Sequence, residues 1–267
     1  MNDLAIFIDS FDGNSDVWPT FFRLFSTYWR DCKYNRYLIT NSDSFSAENL
    51  TVIKTGSDRG WFTMTIKGLE NVKEEYIFFL LEDYAFSKNI ENLNFEDIIR
   101  RMEEENIYYY RLTRPSRFPA DQSFVSVPES TPYPISLQPA IWNKTVFLET
   151  LKDIFSRGAK TPWEFEKTFI EKFRNGRDDV NIEGIAYDTR DLLGYQNLII
   201  QGKWDPRVIK FYKKQGIAID VSDRGYMPMK AVFWDGMKRN KLIRSLSNKS
   251  QARIKKFLKK IGIDFMT

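Results

Sequence analysis

The chain has 267 residues, 42% of them apolar and 16% aromatic, enough to fill the core of one large domain. It contains no histidine and a single cysteine, which excludes serine–histidine triads, histidine-ligated zinc, imidazole acid–base chemistry and an internal disulfide. Its net charge of +4 is unevenly spread: residues 238–267 hold ten Lys and Arg against one acid, a net +9, and the rest hold thirty bases against thirty-five acids, a net −5.

Leu4 to Ile8 is a short apolar run ending in the polar stretch from Asp9 to Gly13, the mark of a buried strand. Asp16 with Pro19 close behind reads as a helix cap, and Phe21, Phe22, Leu24, Phe25, Tyr28 and Trp29 recur at helical spacing. Residues 37–39 and 50–53 read as strands, 61–69 as a helix and 76–81 as a wholly apolar strand. This alternation predicts an α/β fold with a mostly parallel sheet covered on both faces, and Cys32 falls within it as a packing residue. A charged helix at 95–105 and a strand at 108–112 follow, then a proline-rich loop over 114–134 and the segment Ile135 to Trp142. Helices at 144–156 and 162–174 come next, and a less regular stretch runs to about 236. No apolar run reaches the length of a membrane span, and the N-terminus enters a strand without a signal-peptide pattern, so a cytoplasmic location is expected.

In parallel sheets, ligands bind beyond the carboxyl ends of the strands, and two such ends carry acids. Asp9 and Asp12 follow the first strand, and Glu82-Asp83 follows the strand at 76–81. Carboxylates held there suit a divalent cation and the diphosphate it bridges, or are simply solvated loop acids. Thr161, Pro162 and Glu164 have the spacing of a capping box, which commits Glu164 to structure. Glu166 is not needed for that box and is the better candidate for a general base. Trp61, Trp142 and Trp163 lie beside loops or helix starts, where a ring could stack on a base or a sugar. Arg111, Arg114 and Arg117 are either solvated or available to a diphosphate or an anionic acceptor.

From Lys238 onward, Ile254, Phe257, Leu258, Ile261 and Phe265 form one apolar stripe, opposite Lys255, Lys256, Lys259 and Lys260. This is the pattern of a basic amphipathic helix, suited to an anionic membrane surface or to docking on the domain. Two regions are therefore expected, a domain over 1–237 and a tail over 238–267.

Taken as a set, five segments resemble bacterial capsular and lipopolysaccharide glycosyltransferases of the GT-A type. They are Asp16 to Phe22 with Tyr28-Trp29, Tyr37 to Asn41, Glu75 to Tyr84, Ile135 to Trp142, and Pro162 to Glu166. The resemblance implies a GT-A-like, Rossmann-like sheet and a nucleotide-sugar substrate, with a lipid-linked glycan as acceptor. It implies an enzyme on the inner face of the cell membrane, with no nucleic-acid partner. Glu82-Asp83 would stand in the place of the Asp-x-Asp motif that binds manganese or magnesium, from which this sequence departs. Asp9, Asp83 and Trp61 would then hold the donor, Gln138 and Trp142 its sugar, and Glu166, or else Glu164, would be the base of an inverting transfer. Two other readings of the same residues are a non-catalytic module that binds a glycan or polyanion, and a metal-dependent phosphodiesterase.

Overall fold

The computed structural model describes residues 3–228, leaving out 59, 91–92, 116–117, 129–130, 132, 175–181 and 222–223. The chain divides into two compact units, residues 1–196 and 197–267. The basic tail, the expected boundary at 237/238 and Arg117 lie outside the described residues.

The first unit contains strands β1 (Leu4–Asp9), β2 (Asn35–Thr40), β3 (Leu50–Lys54), β4 (Tyr76–Leu81), β5 (Tyr84–Ala85), β6 (Tyr109–Arg111), β7 (Val125–Ser126), β8 (Ala140–Asn143) and β9 (Ile185–Tyr187). Its helices are α1 (Trp18–Tyr28), α2 (Trp61–Glu70), α3 (Phe95–Glu104), α4 (Lys144–Ser156) and α5 (Pro162–Arg174). Eight strands form one sheet in the order β3-β2-β1-β4-β8-β6-β9-β7. The first four pair in parallel, β8 runs antiparallel between β4 and β6, and β9 is parallel to β6 with β7 antiparallel at the edge. The expected α/β sheet therefore forms and is mostly parallel, with β8 an antiparallel insertion at its centre.

The period-two alternation of each strand divides its side chains between two cores. Leu4, Ile6 and Ile8 of β1 point to the face covered by Trp18, Phe21 and Phe25 of α1 and by Phe95, Ile99 and Met102 of α3. Ala5 and Phe7 point to the face covered by Phe62 and Leu69 of α2, Phe147 and Leu151 of α4, and Phe165 and Phe169 of α5. Both faces of β1 and β4 are thus apolar, which is why these two strands read as unbroken hydrophobic runs. Cys32 is buried in the first of these cores. At Gly68 of α2 an added Cβ would lie 2.7 Å from Cδ1 of Ile39 and 3.0 Å from Cζ of Phe7, so a glycine lets this helix sit directly on the sheet.

Two local expectations change. The first helix starts at Trp18 after Val17, with Pro19 in its first turn and no side-chain capping bond, so Asp16 is not its cap. The stretch expected to be less regular supplies β9 to the main sheet and, in the second unit, a hairpin pairing Ile199–Ile200 with Lys203–Trp204. Helix α6 (Pro206–Lys214) follows, capped by Asp205, which accepts from the Arg207 amide at 2.8 Å. Among the described residues, no helix is long and apolar enough to cross a membrane.

Candidate functional site

The parallel registry sets the carboxyl ends of β1 and β4 side by side: Asp9 is the register partner of Leu81, and Glu82-Asp83 follows directly. Asp9 is almost fully buried. Its Oδ2 accepts the indole N–H of Trp61 and its Oδ1 the hydroxyl of Thr65 at 3.1 Å, both from α2. Burial pushes the Asp9 carboxyl up to about 7, against the lowering effect of those two hydrogen bonds. Glu82 is also buried and accepts the side-chain amide of Asn14. Desolvation first, then the charges of Asp83 and Asp9, raise it to about 8. Asp83 is half-buried beside it.

Asp12 is held differently. Its carboxylate accepts the backbone amides of Asn41, Ser42 and Asp43 at 2.8, 2.9 and 3.2 Å and the Ser42 hydroxyl at 2.7 Å. Desolvation alone would raise its pKa, but these hydrogen bonds together lower it, so Asp12 remains an anion. Asn41 returns the contact through the Asp12 amide at 3.3 Å and donates its own amide to the carbonyls of Gly56 and Asp58. The loops after β1, β2 and β3 are thereby tied into one rim.

The second half of the site lies beyond β6 and β8. Arg111 ends β6; its Nε donates to Thr113 Oγ1 at 2.8 Å and its Nη2 to Gln138 Oε1, while Thr113 Oγ1 donates to the same Gln138 oxygen at 2.9 Å. Its guanidinium lies 5.5 Å from the centre of the Tyr187 ring. Glu166, half-buried in α5, accepts the Leu137 amide at 2.8 Å. Its pKa is raised by burial, against the lowering effects of that bond and of the Arg111 charge. The two halves meet electrostatically at Tyr84: burial drives its phenol well above the ordinary value, and the charges of Asp83, Tyr195, Glu166 and Glu82 add to the rise.

Glu164 completes the capping box. Its carboxylate accepts the Lys160 and Thr161 amides at 2.7 and 3.0 Å, and its own amide donates to Thr161 Oγ1. These bonds explain its lowered pKa and direct it to the helix start rather than to a substrate. Trp142 must be corrected: it has no exposed surface, lies between Tyr109 and Phe147 with ring centres 4.5 and 4.3 Å away, and has no face to offer a sugar. Trp163, by contrast, is 80% exposed. Arg111 is buried rather than solvated.

Asn14, Asn41, Thr65 and Thr113 belong to the site but were not singled out from the sequence. The signal that could have found Asn41 is its position one residue past the end of β2, the rule that picked out Asp9 and Glu82.

Among the described residues, no group of three or more acidic or cysteine side chains is placed to hold a metal ion. A cation that enters with a diphosphate needs only one or two protein carboxylates, and Asp83 with Glu82 is the pair present at this strand mouth.

No protein-family model matches the chain, and no curated protein matches it. Among solved structures, it is similar to S. aureus TarS 1–349, at 12% identity over 70% of this chain and 60% of that one, with a TM-score of 0.43. The same protein in complex with UDP-GlcNAc matches at 10% identity over 57% of this chain and 47% of that one, with a TM-score of 0.37. The 4-diphosphocytidyl-2C-methyl-D-erythritol synthase of Anaerococcus prevotii matches at 12% identity over 79% of this chain and 94% of that one, with a TM-score of 0.46. The chain thus spans about 60% of TarS 1–349. Likenesses this distant leave the functional reading to the chain's own residues.

Proposed function

We propose that this chain is a nucleotide-sugar-dependent glycosyltransferase that inverts the transferred sugar and acts on a hydroxyl of a lipid-linked surface polysaccharide, of the capsular or lipopolysaccharide kind. The observation that carries this reading is that a half-buried carboxylate, Glu166, and two acids of the strand mouth, Asp83 and Glu82, act on the same phenol, Tyr84, with Asp9 at the end of the neighbouring strand. Glu166 takes the proton of the acceptor hydroxyl as its oxygen bonds to the anomeric carbon, and the bond to the nucleoside diphosphate breaks with the electron pair leaving on phosphate oxygen. A base whose pKa is raised toward neutrality suits that transfer.

Asp9, Asp83 and Trp61 would flank the donor, and Gln138 its sugar. A divalent cation, manganese or magnesium, would neutralise charge on the leaving diphosphate when bound, with Asp83 and Glu82 as its protein ligands. The rim joining Asp12 to Asn41 suits the nucleoside, because it is tied by several hydrogen bonds and carries polar groups from three strand ends. The basic, amphipathic pattern of residues 238–267 supports peripheral attachment to the anionic inner face of the cell membrane.

The test is a panel of nucleotide sugars offered to the purified protein with manganese or with a chelator, followed by thermal shift and by donor hydrolysis. A native-state ligand raises the apparent stability, and Asp83→Asn should abolish turnover of the stabilising donor while the protein stays folded. Cleavage of a phosphodiester with no response to any nucleotide sugar would replace this reading with that of a phosphodiesterase.

A further inference from the structure

The loop that leads into β8 is pinned on both sides of one residue. Before it, the Tyr109 hydroxyl donates to the Ser136 carbonyl at 3.0 Å and accepts the Ser136 amide at 3.2 Å. After it, the Gln138 side chain is gripped by Arg111 and Thr113. Between the two lies Leu137, whose amide points at Glu166 Oε1 at 2.8 Å. Tyr109 and Arg111 are the first and last residues of β6, so one short strand fixes the Leu137 amide that orients this carboxylate. Arg111 is itself buried, and its Nε and Nη2 donate to the neutral oxygens of Thr113 and Gln138. Its charge is therefore not cancelled by those partners, and it acts across the gap on Glu166.

The geometry points to Arg111 as the positioning residue of Glu166: its forked guanidinium locks Gln138, and through the Leu137 amide next to it fixes where the carboxylate stands. This inference rests on Glu166 being the base only for its importance to turnover; the positioning itself can be measured without a substrate. The guanidinium is planar and reaches two acceptors at once, which a lysine ammonium at the same place does not reproduce. Among the described residues, the other titratable groups that feel the Glu166 charge are Tyr109 from β6 and Tyr84 from β5, and burial raises both phenols, so neither changes charge while Glu166 titrates.

The experiment is a carboxyl-carbon NMR titration of protein carrying 13C-labelled glutamate, with the Glu166 signal assigned by its loss in Glu166→Gln. Arg111→Met should shift the Glu166 titration to higher pH, and Arg111→Lys, which restores the charge, should bring it back toward that of the unaltered protein. Gln138→Leu keeps the Arg111 charge but removes the anchored oxygen; it should speed hydrogen exchange at the Leu137 amide. An Arg111→Met protein that is folded, yet titrates at Glu166 as the unaltered protein does, overturns the inference. If Arg111→Met does not fold, Gln138→Leu decides: an unchanged Leu137 amide overturns the inference. Full turnover by Glu166→Gln would instead remove the base from the proposed function, and the titration would still stand on its own.

Discussion

The indole N–H of Trp61 donates to the carboxylate of Asp9, joining the first helical turn of α2 to the mouth of β1. The same indole packs against Phe165, one residue before Glu166, with ring centres 5.7 Å apart and planes inclined at 61°. One ring thus holds the buried acid of the first strand and the helix that carries the candidate base. Trp61→Phe deletes the donor and also shortens the ring system that packs on Phe62 and Phe165, so the pH dependence of the loss, rather than its size, reports the bond. A hydrogen bond to a neutral group contributes about 1 kcal/mol and one to an ionised group up to about 3 kcal/mol. Since Asp9 titrates at about 7, the loss of stability should be small at acid pH and larger at alkaline pH. Equal losses on both sides of neutrality in chemical denaturation would show that the bond does not bear on an ionising Asp9.

Asp9 and Glu82 also set the pH dependence of the fold. Their folded-state values, about 7 and about 8, lie above their ordinary 3.8 and 4.5. Between the ordinary and the raised values the native chain binds more protons than the unfolded one, so stability falls as pH rises through that window and levels off above it. Glu82→Gln can still accept from Asn14 and has no proton to lose. In metal-free buffer its melting temperature should draw further ahead of the unaltered protein's between pH 5 and pH 8. Parallel curves would mean that Glu82 is ionised across the range.

The two glutamates of α5 should separate sharply. Glu166→Gln is expected to lower turnover by roughly a hundred-fold or more, the loss that accompanies a missing general base, with donor binding kept. Glu164→Gln retains an oxygen able to complete the capping box and should act mildly. Steady-state kinetics on an identified donor decide this, and a reversal of the two would transfer the role to Glu164.

Arg36 of β2 is buried, and among the described residues its Nε and Nη1 have no hydrogen-bond partner; it has the Cys32 carbonyl at 3.4 Å and the face of Phe25 at 5.0 Å. Leaving buried donors unpaired costs about 1–3 kcal/mol each. Arg36→Met has similar length and no donors, so it should stabilise the protein by an amount of that order. A lower midpoint in urea would show that this cation has a partner worth more than its desolvation.

The parts of the fold that are legible in the sequence are those whose signal is local. The four parallel strands β1 to β4 and the five helices of the first unit announce themselves through apolar runs and helical periodicity, because each buries its own face. The antiparallel β8 is four residues long, and its place between β4 and β6 depends on pairing with residues far away in sequence. Trp142 was misassigned for that reason: beside a loop its ring is free, and in the central strand it is core. The capping role of Glu164 depends on its place three residues after Thr161 and is legible. The tie between Asp12 and Asn41 joins residues 29 positions apart, and the hold of Leu137 on Glu166 joins residues 29 apart as well, so neither leaves a mark in any short window.

The central position of β8 also governs the order in which the sheet can be assembled. The half β3-β2-β1-β4 needs nothing beyond residue 81, but the edge of β4 is the apolar run Tyr76 to Leu81, and its neighbour is not made until residues 140–143. A nascent chain or proteolytic fragment ending before Ala140 therefore carries an unpaired hydrophobic strand edge, the kind of surface that joins to copies of itself. Recombinant fragments cut at about residue 130 should enter inclusion bodies, and those that include β8 and α4 should be markedly more soluble. For this chain, the synthesis of residues 82–139 between β4 and β8 is the interval in which a chaperone would have most to protect.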